Sequence, residues 1–170
     1  GITWRPKPRS FAPDFSDIYF MRSTTGGTPF SAPVAINSSP GSDRSQFFPW
    51  VAADETDGSV SVIWYDQRAG TGTSDLTELV HTHSIDGGLT WGCPATLSDR
   101  AFHAEAGNRT SQPNLGDYIQ CVSQAGSLYS CFGKTDFQSW TTYSPDTYVD
   151  VSTGAGAGPA PLGFVGFTFT

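Results

Sequence analysis

Ser84-Ile85-Asp86-Gly87-Gly88-Leu89-Thr90-Trp91 is the stretch that decides how this 170-residue chain reads. Its pattern is S-x-D-x-G-x-T-W, and each fixed position has a physical job. The Asp86 carboxylate can accept hydrogen bonds from the backbone amides of its own turn. Gly87 and Gly88 supply the positive φ angles that a tight reversal needs. Thr90 can close the turn with its hydroxyl, and Trp91 can fold back as an apolar plug. The expected element is a β-hairpin turn stapled by its own side chains, with Trp91 largely buried and Asp86 bonded to backbone amides.

The stretch has an earlier echo. Ser23-Thr24-Thr25-Gly26-Gly27-Thr28-Pro29-Phe30 aligns with it at an offset of 61 residues, Ser23 matching Ser84. Thr25 stands for the aspartate, Pro29 for the threonine and Phe30 for the tryptophan, so this copy keeps the turn and the aromatic plug but weakens the carboxylate staple. The flanks match too. Asp17 to Arg22 corresponds to Glu78 to His83, and Ser31 to Ile36 to Gly92 to Leu97. A repeat of this length points to successive small β-sheets rather than a helical solenoid.

Composition agrees. Charged residues make up 15% of the chain and aromatics 14%, with 19 Gly and 12 Pro, a profile of short strands and tight turns. No window holds a sustained helical period, and no apolar run approaches a membrane span. The net charge of −7 argues against nucleic acid or an anionic membrane surface as partner. The start, Gly1 to Arg9, has neither an initiator Met nor an apolar leader core, as in a processed chain or an excised piece.

The strongest local hairpin signal runs from Phe47 to Tyr65, turning at Asp57-Gly58. Val60, Val62 and Trp64 share one face of its second strand, and Ser61, Ile63 and Tyr65 the other. Of the three cysteines, Cys121 and Cys131 flank Ala125-Gly126-Ser127 symmetrically. As cross-strand neighbours they would suit a disulfide; the alternative is two small buried side chains. Asn37 and Asn108 each begin an N-x-[ST] glycosylation triplet. Cysteine usage and these triplets together point outside the cytoplasm, to an extracellular or periplasmic protein.

The eight-residue pattern resembles the Asp-box, the repeat motif of sialidase-like (BNR-repeat) β-propellers. Asp17-Ile18-Tyr19 leading into a box, Gln46 with Pro49, Val62-Ile63-Trp64-Tyr65-Asp66-Gln67-Arg68 and Gly116-Asp117-Tyr118-Ile119 extend the resemblance over roughly residues 15 to 140. It implies an all-β fold: a partial β-propeller of about two to three four-stranded blades with Asp-box turns, where closed propellers use roughly 4–8 blades. The structural Asp-box residues would be Ser84, Asp86, Gly88, Thr90 and Trp91. The organisation expected is an extended N-terminal arm over 1–14, blades over 15–145, a Gly/Ala/Pro-rich linker over 146–161 and a terminal strand over 162–170.

The resemblance also implies chemistry to look for. Sialidases hold the sugar carboxylate with three arginines, attack with a Tyr activated by Glu, and use an Asp as acid and base. The Arg-Ile-Pro motif of that family is absent, and Gln46-Phe47-Phe48-Pro49 occupies the comparable strand without an arginine. Arg68, Asp117 and Tyr118 are the candidates for an axial pocket; the bland alternative pairs Asp66 with Arg68 to fix a loop and makes Asp117 a turn cap. No metal cluster is indicated: His81 with His83, and His103 with Glu105, lack a third convergent ligand. No cofactor is expected, although the acidic turn Asp54-Glu55-Asp57 carries oxygens of the kind calcium takes. The function expected is binding of carbohydrate or protein, or structural assembly, by a non-catalytic extracellular propeller segment. A fragment or subunit of a sialidase-type glycoside hydrolase is the alternative. Partners are then other chains, the rest of a longer polypeptide, or glycans.

Overall fold

The computed structural model describes residues 2–6, 16–38, 44–70, 76–104, 115, 118–135 and 145–153. Among them every regular element is a strand. The order is β1 (Ile2–Pro6), β2 (Ser16–Phe20), β3 (Val34–Ala35), β4 (Gln46–Ala53), β5 (Val60–Asp66), β6 (Leu76–Ser84), β7 (Ala95–Thr96), β8 (Phe102–His103), β9 (Gln120–Gln124), β10 (Ser127–Thr135) and β11 (Pro145–Thr153). They form three antiparallel sheets: β1-β2-β3, then β4-β5-β6-β7 with β8 also paired to β6, then β11-β10-β9. None of the three closes on itself. Among the described residues no helix is long and apolar enough to cross a membrane.

β5 shows why the sheets stack. Apart from Ser61 it is an apolar run, Val60-Ser61-Val62-Ile63-Trp64-Tyr65, as expected of a strand covered on both faces. Val62 and Trp64 point one way, into a core with Ile18, Phe20, Ile36 and Val80. Ile63 and Tyr65 point the other way, into a core with Leu79, Leu97, Phe102, Ile119, Cys121, Leu128 and Phe132. The second sheet is therefore sandwiched between the first and the third. Trp64 and Tyr65 are both 0% exposed. The Tyr65 hydroxyl donates to the Gly133 carbonyl at 2.7 Å, so its one polar atom is satisfied in the core.

The 61-residue repeat holds at the level of individual hydrogen bonds. Tyr19 faces Ala35 in the first sheet, and Val80 faces Thr96 in the second. The Ile36 amide donates to the Ile18 carbonyl, and the Leu97 amide to the Leu79 carbonyl. The Ile18 amide meets the Asn37 side-chain oxygen, and the Leu79 amide meets the Ser98 hydroxyl. The pairing reaches β1, where Trp4 faces Ile18 as Tyr65 faces Leu79.

Three expectations are corrected. Residues 2–6 are not a free arm, because β1 pairs with β2 along its whole length. The stretch expected to open a linker is a strand through Thr153: β11 pairs with β10 from Pro145 to Thr153, and its Val149-Asp150-Val151 alternation suits a ladder. The hairpin between β9 and β10 turns on two residues, not three. Ala125 (φ 51°) and Gly126 (φ 75°) are both left-handed, the geometry of a tight two-residue hairpin turn. That shift sets Cys121 opposite Ser130 and Cys131 opposite Gln120. One residue of register sends the two side chains to opposite faces. Cys121 is buried and Cys131 exposed, and both are free thiols, as is Cys93. Residues 154–170, including the expected terminal strand, lie outside the described residues.

Candidate functional site

β5 ends at Asp66, opposite Gln46 at the start of β4. Both are 1% exposed. A buried carboxylate needs donors on its oxygens. Asp66 has three: the Gln46 side-chain amide at 3.4 Å, the Arg68 backbone amide at 2.8 Å and the Trp64 indole N–H at 3.1 Å. The network continues into the first sheet, where the Asn37 side-chain amide donates to Asp17 at 3.0 Å and to the Gln46 side-chain oxygen at 3.1 Å. Asn37 is 6% exposed with its amide engaged on both sides, so the sequon reading fails there. Asn108 lies outside the described residues.

Arg68 fixes its loop, but not through a side-chain pair with Asp66. Its backbone amide caps Asp66, while its guanidinium reaches outward to Glu78 (3.7 Å), Thr96 (3.2 Å) and Ser38 (3.4 Å). These contacts clamp the loop onto β6, β7 and the segment after β3. Arg22 bonds the Gly87 carbonyl at the far end of β6. Ser84 lies six residue steps along β6 from Glu78, about 20 Å, so Arg22 and Arg68 serve opposite ends of the sheet. Tyr118 is 84% exposed just before β9. Asp117 lies outside the described residues.

The feature that sequence reasoning missed is on β4. Its pairing with β5 breaks between Phe47 and Trp50. At this bulge Phe48 adopts φ 52°, a left-handed conformation that is rare for a bulky residue. Phe48 is 44% exposed, and Trp50 and Val51 are each 40% exposed. β4 is an edge strand, and it packs against β9 on one side and against β1 and β2 on the other. The three sheets thus converge on a strand whose bulge presents aromatic side chains to solvent. Strained bulges that re-aim side chains concentrate at functional sites. The Pro49 within an aromatic run was the only sequence signal for it.

The remaining candidates are structural. Asp86 accepts from the Leu89 and Thr90 amides at 2.9 Å each and from the Thr90 hydroxyl at 2.6 Å, and the Ser84 hydroxyl donates to it at 2.7 Å. The Thr90 hydroxyl, followed by the Thr90 amide, holds the Asp86 carboxyl well below its usual range. Gly88 donates its amide to the Ser84 hydroxyl at 2.8 Å. Trp91 is half-buried rather than largely buried, edge-on to Phe20 with ring centroids 4.8 Å apart.

Two carboxylates of the acidic turn accept local hydrogen bonds, Asp57 from the Ser59 amide and Asp54 from several donors. Asp54 takes the Thr56 amide and hydroxyl on one oxygen, and the Gly126 amide (2.9 Å) and Ser123 hydroxyl (3.4 Å) on the other. The Thr56 hydroxyl and the Gly126 amide draw its pKa down to about 2. This carboxylate latches the β4–β5 turn to the β9–β10 turn. His81 and His83 stack at 6.2 Å, each with a buried, unpartnered Nε2. Burial, with His83 beside it, lowers His81 to about 4. Among the described residues no three His, Cys, Asp or Glu side chains come together as a metal site.

No protein-family model matches the chain, and no curated protein matches it. Among solved structures, it is similar to Hadza microbial sialidase Hz136, with a TM-score of 0.54 and 18% identity over 81% of this chain. The match takes in 29% of that sialidase, so the chain spans under a third of its length. The likeness extends to the fold: this is a sialidase-like arrangement of antiparallel sheets.

Proposed function

We propose that the chain is an Asp-box β-propeller segment that works outside the cytoplasm as a non-catalytic binder of carbohydrate. The observation that carries this reading is the exposed bulge at Phe48–Trp50 on the β4 edge of the second sheet. Flat aromatic faces held at fixed positions suit the apolar faces of sugar rings, and their hydroxyls can bond the open edge of β4. The turn at 84–91 supports the Asp-box assignment, since its carboxylate meets the donors that the motif requires. Each blade would then carry its box on the side away from the Gln46–Asp66 end.

Sialidase-type hydrolysis is the second reading, favoured by the fold likeness. Against it, the Arg68 guanidinium is already committed to Glu78, Ser38 and Thr96. A glycan array with sialylated and unsialylated probes, followed by titration with sialyllactose and lactose, tests the binding reading. Retention of at least one glycan class is expected, with about tenfold weaker binding in Trp50→Ala, the loss of one well-packed aromatic contact. No retention, or full retention in both Trp50→Ala and Phe48→Ala, removes it. Turnover of a fluorogenic sialoside that disappears in Arg68→Ala would install the hydrolase in its place.

A further inference from the structure

We propose that Tyr65 is the positioning residue of the aromatic surface at the β4 bulge, and that the third sheet holds Tyr65 in place; this rests on the carbohydrate-binding reading. The register shows what the bulge does. Gln46 faces Asp66 and Phe47 faces Tyr65, and the next matched pair is Trp50 with Ile63. Phe48 and Pro49 therefore stand against Trp64 alone, one residue in excess on β4. On a regular strand Phe47 and Phe48 would point to opposite faces. Here Phe48 lies edge-on to both Phe47, with ring centroids 5.5 Å apart, and Tyr65, with centroids 6.4 Å apart. The extra residue and the φ of 52° bring Phe48 round to the face that carries Phe47 and Tyr65. Trp50 shares that face, because directly opposed residues do and its partner is Ile63.

A bulky residue stays left-handed only where its surroundings fix it. Two rings back Phe48. Phe47 sits on the same strand and moves with the bulge. Tyr65 is fixed from outside β4. It is fully buried, packs edge-on against Phe102 at 6.1 Å, and donates its hydroxyl to the Gly133 carbonyl on β10 at 2.7 Å. Burial pushes the phenol pKa up, which keeps the proton on the hydroxyl as the donor. Gly133 is itself confined, since a Cβ there would collide with the Leu115 carbonyl. The ring that backs Phe48 is thus held at its depth by a carbonyl 68 residues further along the chain. Docking of the third sheet sets the place of an aromatic ring on the second.

Calorimetric titration of the full chain with lactose and with sialyllactose tests the proposal. Wild type is expected to bind at least one of them. Tyr65→Leu, which removes the ring behind Phe48, should bind about tenfold more weakly. Tyr65→Phe, which keeps the ring and loses the tie to Gly133, should recover most of that and bind about threefold more weakly. Both losses should vanish in a Phe48→Ala background, because Tyr65 acts through Phe48; a general loosening of the fold would persist there. The ring-proton resonances of Phe48 should move in both Tyr65 variants. Tyr65→Phe carries the test should Tyr65→Leu fail to fold. Wild-type affinity with unmoved Phe48 resonances in folded Tyr65→Phe overturns the proposal. So does a loss of the same size with and without Phe48. Binding of neither sugar by wild type removes the carbohydrate reading and this role with it, a result distinct from sugar binding that ignores Tyr65.

Discussion

The turn at Ser23–Phe30 and the turn at Ser84–Trp91 close in the same way but differ in chemistry, and their backbones part at the second glycine, where Gly88 is left-handed (φ 86°) and Gly27 is not. In both, the first serine hydroxyl accepts an amide four residues on, from Gly27 at 3.2 Å and from Gly88 at 2.8 Å. In both, the strands close by one backbone bond, Ser31 to Arg22 and Gly92 to His83. The staple differs. Asp86 gathers two backbone amides and two hydroxyls, whereas the Thr25 hydroxyl meets only the Ser23 hydroxyl and the Thr28 carbonyl. The plug differs as well: Trp91 packs on Phe20, while Phe30 is 45% exposed. The serine anchors both reversals. The carboxylate adds bonds that the first turn lacks, and the plug finds cover only where a preceding sheet supplies it.

The sharpest way to break that contrast is at the second glycine. A Cβ on Gly88 would collide with the Phe20 ring, at φ 86°, while a Cβ on Gly27 meets nothing within 4 Å. Gly88→Ala is expected to cost about 2–4 kcal/mol, combining left-handed strain with overpacking. Gly27→Ala is expected to stay within about 0.5 kcal/mol. Urea denaturation of both variants checks this, and equal losses would show that the turns are seated alike.

The next contrast lies in the strands that lead into the turns, where His81 occupies the position of Phe20. His81 has a folded pKa lowered from 6.5 to about 4, so between those values the unfolded chain binds the extra proton. Its neutral packing contributes fully above about pH 6.5 and is lost as pH falls towards 4. The loss is about 2–3 kcal/mol at the acid end. His81→Phe, which copies the first repeat, should flatten melting temperature against pH across that window. A slope unchanged in the variant would place the titrating group elsewhere.

The smallest effect is expected at the staple itself. Asp86→Thr should lower the melting temperature by about 2–5 °C, and Thr25→Asp should raise it by no more than that. The Asp86 contribution is present above the ordinary carboxylate value of 3.8 and fades as pH falls below it. The difference between Asp86→Thr and wild type should therefore shrink in strong acid, measured as amide exchange at Leu89 and Thr90. If Thr25→Asp destabilises, the first turn's backbone does not offer the new carboxylate the donors that Asp86 finds.

What could be read from sequence alone was local. The turn at 84–91 is legible because its partners lie within a few residues: Ser84 reaches Gly88, and Asp86 reaches Thr90. The alternating faces of β5 and the 61-residue repeat are legible for the same reason, since strand period and repeat spacing are written along the chain. Tertiary structure decided the rest. A turn one residue shorter than symmetry suggested separated Cys121 from Cys131, because register depends on the left-handed pair Ala125-Gly126 and not on spacing. Arg68 turned outward because Glu78, Thr96 and Ser38 converge from three other segments. Asn37 went inward because Asp17 and Gln46 needed its amide. Phe48 and Trp50 became a surface only because β4 bulges at a sheet edge where three sheets meet. Each of these outcomes depends on contacts between residues brought together by folding, and composition and spacing carry no record of which partner arrives.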